Sequence, residues 1–278
     1  MTLPPWHAHV DVWLLLGGVW NAYLLVVSAR ARAHPEEDPG WARRARLFSL
    51  GMLVLLVASD WPIHDLAERY LYSAHMLQHM LYTLVAPPLL IAGMPAWVLR
   101  KVFAAPVVGP VAAFLTRPLV ALIFFNGVLL FTHWPEVVAA SVGSEPTHFA
   151  LHVLIVGSGL AMWWPVMSPL PERPALNPPG QMLYLFFQSL APTIPASFLT
   201  FGRTLMYPVY GTFPRIWNIG PLEDQLLAGL QMKILGGLLL WVVIGSIFFR
   251  WHARESRDGW DEVAMGRLQR ELRIGVGE

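Results

Sequence analysis

Long apolar stretches alternate along the chain with short polar connections. A helix needs about 20 mostly apolar residues to cross the hydrocarbon core of a bilayer. The pattern predicts seven transmembrane helices, with six as the smallest count: Val10–Ser28, Leu47–Asp60, Tyr72–Met94, Leu119–His133, Thr147–Met167, Gln181–Phe201 and Gln225–Phe249. We therefore predict an all-α, polytopic membrane helical bundle. Residues 1–278 form a single integral-membrane domain in this interpretation, and residues 251–278 are its short cytoplasmic tail.

The composition supports the membrane assignment. Hydrophobic residues make up 55% of the chain and charged residues only 13%, whereas a soluble domain carries about 25% charged residues. So little polar surface excludes soluble enzymes and nucleic-acid binders, and membrane lipid is an expected partner. The chain has no cysteine, which excludes disulfides, iron–sulfur clusters and thiolate metal sites.

The basic residues predict the orientation of the bundle. Of the 19 lysines and arginines, fifteen fall in connections on one side of the predicted membrane and three on the other, with Lys233 inside a span. Lysine and arginine accumulate in cytoplasmic loops. The N-terminus is therefore predicted to lie outside and the C-terminus in the cytoplasm.

The histidines concentrate on the predicted outer side, which holds eight of the ten. Two pairs have i, i+4 spacing, so each pair occupies one face of its helix. Met76 lies beside the first pair. Imidazole is the commonest metal ligand among side chains, and imidazole with thioether and without thiolate favours copper. The candidate metal ligands are His75, His79, His148, His152, His64, His133 and Met76.

Several other residues have simpler interpretations. His7 and His9 are interpreted as membrane-interface residues, with a metal-catching arm as the alternative. Asp224 and Gln225 are interpreted as caps of the last transmembrane helix, where a carboxylate favours the helix N-terminus. The pair Trp163–Trp164 is interpreted as an anchor at the cytoplasmic membrane interface.

Three stretches resemble a known family. They are DWPIHDLAERYLYSAHMLQHMLYTLVAPPLLIAGMP (Asp60–Pro95), THFALHVLIVGSGLAMWWPV (Thr147–Val166) and LMYPVYGTFPRIWNIGPLEDQLLAGLQMKILGG (Leu205–Gly237). The AHMLQHML core followed by APPLL is the most specific part. Together they resemble the multi-spanning CtaG family of cytochrome c oxidase assembly factors.

The resemblance implies a non-enzymatic protein of the bacterial inner membrane that matures a haem–copper oxidase by handling copper. Its expected partners are a cytochrome c oxidase subunit or another copper chaperone. The outer histidines of the family correspond to His64, His75, His79, His148 and His152.

Two other functions compete with copper handling. A b-type haem takes two axial histidines from facing helices, and one histidine from each pair would suffice. A zinc hydrolase or transporter is disfavoured, because the HExxH pattern is broken by Met76 and Phe149. Histidines with a purely structural role would leave the protein a scaffold.

Overall fold

A computed structural model describes residues 4–36 and 38–275 of the chain, with side chains to residue 257. The described residues form helices and no strand. In chain order the helices are α1 (Val10–Ala33), α2 (Trp41–Ser59), α3 (Ile63–Arg69), α4 (Tyr72–Met80), α5 (Ala86–Gly93), α6 (Ala96–Ala104), α7 (Val108–Leu115), α8 (Pro118–Thr132), α9 (Pro135–Gly143), α10 (Glu145–Met167), α11 (Pro178–Leu190), α12 (Thr193–Phe201), α13 (Pro208–Gly211), α14 (Pro221–Leu230) and α15 (Gly237–Gly275). Two π-helical segments, Leu81–Val85 and Gln231–Gly236, join α4 to α5 and α14 to α15.

The number of candidate membrane spans agrees with the sequence prediction. Within the described residues, six helical stretches are long and apolar enough to cross a membrane, and two bent helix pairs raise the upper count to eight. The predicted all-α membrane bundle is therefore confirmed. The fourth predicted span is α8, which bends by 69° into α9. The other bent pair, α6 and α7 with an angle of 110°, occupies a region where we predicted no span.

Packing indicates that the α6–α7 pair begins and ends at the same end of the bundle. Leu99 of α6 packs on Trp164, near the last turn of α10. Ala121, just after the start of α8, packs with Trp163 of the same turn. The chain thus enters α6 and leaves α7 near one end of α10, and the candidate spans of the described residues number six to eight.

The two ends of the bundle differ in chemistry. At one, here called the arginine end, Arg30, Arg44 and Arg100 line a cavity together with Trp97. At the other, here called the histidine end, the N-terminal segment, α3, α9 and the connection from Gly202 to Gly220 surround a group of histidines. Large apolar side chains are exposed between the two ends, such as Leu14, Leu119 and Leu238, as expected for a surface that faces lipid.

Glycines allow a close approach between α2 and α5. A Cβ atom on Gly93 would lie 2.3 Å from the backbone nitrogen of Phe48, and one on Gly51 would lie 2.8 Å from Leu90. Small residues allow two backbones to approach closely, and van der Waals packing then stabilises the pair.

We predict that Gly93→Ala destabilises the protein by about 1–3 kcal/mol, since an added methyl in a packed interface forces backbone shifts. Gly127→Ala is the matched control, because nothing lies within 4 Å of a Cβ at that position. Thermal unfolding in detergent, followed by tryptophan fluorescence, measures both. Equal midpoints for the two variants would refute the assigned α2–α5 contact.

The prolines explain the irregular turn between α4 and α5 and correct one prediction. Pro87 has no N–H, so the carbonyl of Thr83, four residues earlier, loses its helical partner. The indole of Trp163 donates to that carbonyl over 2.9 Å. Trp163 is only 3% exposed, so its prediction as an interface anchor was wrong: it satisfies a carbonyl that a proline leaves free.

Asp224 also differs from its prediction. Its two carboxylate oxygens accept hydrogen bonds from the backbone N–H groups of Tyr72 and Ser73, over 2.7 and 2.9 Å. It therefore caps α4 rather than its own helix. The N-terminus of α14 is instead closed by Glu223, which accepts from the N–H of Gly220 over 2.9 Å. Asp224 thus ties the start of α4 to α14.

Candidate metal centre

Six histidines from four parts of the chain meet at the histidine end. In this group, here called the histidine cluster, every ring has its centroid within 6.5 Å of at least one other member. The structure thereby brings together all the histidines that the sequence placed at one level. The members are His64, His75, His79, His133, His148 and His152.

Local structure explains why these side chains converge. The rings of each i, i+4 pair are in contact on one helix face: His75 and His79 have centroids 4.1 Å apart on α4, and His148 and His152 have centroids 4.0 Å apart on α10. Asp224 fixes the start of α4. Ser144 caps α10, where its hydroxyl accepts from the N–H of Thr147. Both pairs therefore lie within the first turns of helices whose N-termini are held in place.

Three donor atoms at the rim of the cluster have the spacing of metal ligands. Nε2 of His64 lies 3.3 Å and Nε2 of His148 lies 3.1 Å from one carboxylate oxygen of Glu68. All three donors fall within 4.8 Å of one another. Ligands held at about 2.0–2.2 Å from a tetrahedral ion are about 3.3–3.6 Å apart, and the Glu68 oxygen already lies at nearly that distance from both nitrogens.

Hydrogen bonds orient the two imidazoles of this triad. The hydroxyl of Ser141 lies 3.1 Å from Nδ1 of His148 and can accept its proton, which leaves a lone pair on Nε2. That Nε2 is buried and makes no hydrogen bond, although the Glu68 oxygen lies 3.1 Å away. Nδ1 of His64 contacts the side-chain amide of Gln78 at 3.1 Å. A lone pair on Nε2 and a carboxylate at such a distance repel each other unless a proton or a metal cation lies between them.

Glu68 was missed by the sequence analysis. It follows His64 by four residues, the same spacing that marks the two histidine pairs, and both residues lie on α3. The signal was therefore present as a mixed histidine–glutamate pair. It was overlooked because only the histidine pairs were treated as candidate ligand pairs.

The other predicted ligands lie outside this triad. Nε2 of His152 and Nδ1 of His75 are buried and have no hydrogen-bond partner. His79 and His133, whose ring centroids are 6.1 Å apart, lie farther from α3. Met76 packs with Tyr72 and Tyr207 and lines a cavity shared with His79 and His133.

A cavity of about 660 Å³ gives access to the triad. His64, Glu68 and His148 line it, as do His7 and His9 of the N-terminal segment. His9 and His7 contact the buried carboxylate of Asp65 at 3.1 and 3.6 Å. The structure thus places these two histidines against α3, beside the candidate metal ligands.

The connection from Gly202 to Gly220 packs against the elements that carry the histidine cluster. The Tyr207 hydroxyl donates to the carbonyl of His133 over 2.8 Å, and that of Tyr210 donates to the carbonyl of Ala67 over 3.1 Å. Burial raises the pKa of Tyr207 to about 12, so its hydroxyl keeps its proton at neutral pH. The two tyrosines of the YPxY sequence therefore hold α3 and the end of α8 in place.

A protein-family model matches most of the chain, including the histidine cluster. Residues 21–254 match the family model described as cytochrome c oxidase caa3 assembly factor (Caa3_CtaG). The chain belongs to this family. The resemblance indicated by the three sequence motifs is thereby confirmed, and every member of the histidine cluster lies inside the matched region. No curated protein and no solved structure matches the chain.

Membership in the caa3 assembly factor family implies a role with cytochrome c oxidase. Families of assembly factors are not typically catalytic, which agrees with the predicted absence of enzymatic activity. The geometry adds a candidate metal site of His64, Glu68 and His148. The chain is a multi-pass membrane protein, with this site at one end of its bundle.

Proposed function

We propose that this caa3 assembly factor binds copper as cargo at His64, Glu68 and His148 and assists its delivery to the oxidase. The observation that carries the proposal is the close spacing of these three donors around one point. The partner that receives or supplies the ion is a cytochrome c oxidase subunit or another copper chaperone. The histidine end faces the outside of the bacterial inner membrane in this proposal, as the distribution of basic residues predicts.

The chemistry of the site supports holding and release of an ion. Two imidazoles and a carboxylate suit divalent copper, and the Glu68 oxygen already lies within 3.3 Å of both imidazole nitrogens. Glu68 is 30% exposed and His64 14% exposed, so an ion at this point is reachable from the cavity. His152, with an unpartnered Nε2 and a ring centroid 4.0 Å from that of His148, is a candidate additional ligand.

Glu68 favours a metal ion over the competing functions. A bis-histidine haem uses two imidazoles on opposite faces of the porphyrin, and a carboxylate in contact with both imidazoles has no part in such a site. Two histidines and a glutamate also suit zinc. Copper is preferred here because the family acts on cytochrome c oxidase, whose maturation requires copper.

Metal content of the purified protein tests this proposal. Protein in detergent, loaded with excess Cu(II) and desalted, is expected to retain about one copper per chain and to show no Soret band. His64→Ala combined with His148→Ala is expected to retain less than about a tenth of that copper, because two of three ligands are gone. His252→Ala, far from the cluster, is the matched control and is expected to retain copper fully.

Three outcomes would contradict the proposal. Copper retention by the double variant equal to that of the control would place the ion elsewhere. A Soret band that the double variant lacks would identify the histidines as haem ligands. Preferential retention of zinc from an equimolar mixture with copper would show that copper is not the cargo.

A further inference from the structure

A second cavity lies on the other side of the histidine cluster. Its volume is about 80 Å³, enough for an ion and a few water molecules, since one water occupies about 30 Å³ in the liquid. His79 and His133 line this inner cavity, whereas His148 and His152 line the outer one. The ring centroids of His79 and His152 are only 6.0 Å apart, so a single layer of imidazoles separates the two cavities.

The Nε2 atom of His133 carries a lone pair that accepts no hydrogen bond. Its Nδ1 lies 2.7 Å from the carbonyl of Leu129. A carbonyl can only accept, so in the neutral ring Nδ1 carries the hydrogen and Nε2 carries the lone pair. That Nε2 is buried and has no hydrogen-bond partner. A histidine whose Nδ1 is held by a backbone carbonyl has the usual arrangement of a metal ligand.

The distance between the rings of His79 and His133 allows both to bind one ion. Its ring centroid lies 6.1 Å from that of His133. Two imidazoles that bind one ion through facing nitrogens, at metal–nitrogen distances of about 2.0 Å, have centroids about 6 Å apart. The distance between the two rings is therefore compatible with one ion bound to both.

Three methionines add soft donors to the same cavity. Met76, Met80 and Met232 all line it, and Met76 and Met232 are buried. Thioether sulfur selects Cu(I) over harder divalent ions. Of the described residues that line the cavity, none is acidic, and Lys233 adds a positive charge at its edge. A neighbouring positive charge repels a divalent ion twice as strongly as a monovalent one.

The backbone around the inner cavity is also unusual. Thr83 and Leu84 come from the first π-helical segment, and Met232, Lys233 and Gly236 come from the second. π-Helical turns are rare and occur frequently at functional sites. Two of them, far apart in sequence, flank the same 80 Å³ cavity.

From these observations we propose that the inner cavity is a second copper site, specific for Cu(I), formed by His79, His133 and the thioethers of Met76, Met80 and Met232. The inference rests on the proposed function only in taking copper as the cargo. The site differs from the outer triad in its donor atoms, which are nitrogen and sulfur rather than nitrogen and oxygen, and in its burial.

The test uses the full-length chain carrying His64→Ala and His148→Ala, so that the outer triad is absent. Titration of this protein with Cu(I) without oxygen, against a chromogenic Cu(I) chelator, is expected to show one ion bound per chain. X-ray absorption is expected to show sulfur neighbours around the copper. Changing Met76, Met80 and Met232 to leucine is expected to weaken binding at least tenfold and to remove the sulfur signal.

Met52→Leu is the matched control, since Met52 is a buried methionine in a different part of the core. It is expected to leave Cu(I) affinity unchanged. The leucine substitutions conserve volume, and an unchanged thermal midpoint verifies that the triple variant is folded. His133→Ala is expected to lose the ion as well.

The outcomes separate this inference from the proposed function. The inner site is overturned if the double-alanine protein binds no Cu(I). It is also overturned if the triple leucine variant still binds Cu(I), with only nitrogen and oxygen neighbours around the copper. Neither result affects copper binding at the outer triad, which is measured with Cu(II) on the parent protein. Conversely, Cu(I) bound with sulfur neighbours supports the inner site even if the parent shows no Cu(II) at the triad.

Discussion

Loss of roughly nine-tenths or more of the caa3-type oxidase activity is expected in cells whose only copy of this protein carries His64→Ala and His148→Ala. Removing two ligands from a three-ligand site lowers metal affinity by more than the roughly 10–100-fold that follows from loss of a supporting partner alone. At a fixed copper supply, the outer triad of the variant then stays unloaded, and copper cannot pass through it to the oxidase. The measurement is oxidase activity in membranes, together with copper and haem content of the purified oxidase.

The pattern of loss distinguishes copper delivery from general scaffolding. If the site handles copper, the oxidase should keep its haem and lose its copper. Glu68→Gln keeps the shape of the side chain and removes its charge, so an intermediate loss is expected. His252→Ala should behave as the wild type. Normal oxidase activity in the double variant, with the protein present at its usual level, would show that the triad is not needed for assembly.

Asp224→Ala is expected to have the largest effect on stability. The carboxylate is 1% exposed and accepts two backbone hydrogen bonds at the start of α4. A hydrogen bond to a charged group contributes about 1.5–3 kcal/mol, and the substitution leaves both buried N–H groups without a partner. We expect a loss of about 3 kcal/mol or more, together with weaker copper binding, because α4 carries two histidines of the cluster.

Two controls sharpen this prediction. Asp224→Asn keeps one carbonyl oxygen as an acceptor and should lose about half as much stability. Glu223→Gln, one residue earlier on the exposed side of α14, keeps an acceptor for the N–H of Gly220 and should change stability by less than about 0.5 kcal/mol. Thermal unfolding in detergent compares all three variants. An Asp224→Ala midpoint equal to that of Glu223→Gln would contradict the assigned cap.

The sequence predicted the bundle well because membrane spans are encoded by length and apolarity, which need no knowledge of neighbours. It predicted the histidine cluster for a related reason: i, i+4 spacing fixes a helix face, and span boundaries fix a depth. Trp163 was misinterpreted, because its partner is a carbonyl that Pro87 leaves free in another helix. Asp224 was misassigned because the helix that it caps begins 152 residues earlier.

The division of the histidine cluster between two cavities could not be predicted from the sequence either. Spacing places His64 and His133 at one level, but only the packing of α3, α8 and α10 decides which of them faces which cavity. Glu68 joins His64 and His148 because α3 turns its polar face toward α10. Met76 was predicted as a ligand beside the pair His75/His79, and the structure places it with His79 and His133 at the inner cavity.

Anomalous diffraction at the copper edge, from crystals of the protein loaded with Cu(II), tests the central claim most directly. The account predicts one strong peak between His64, Glu68 and His148, about 2.0–2.2 Å from each donor atom, and its loss in the His64→Ala, His148→Ala variant. A copper peak elsewhere in the bundle with none at the triad, or no peak in crystals shown to contain the metal-loaded protein, would contradict it.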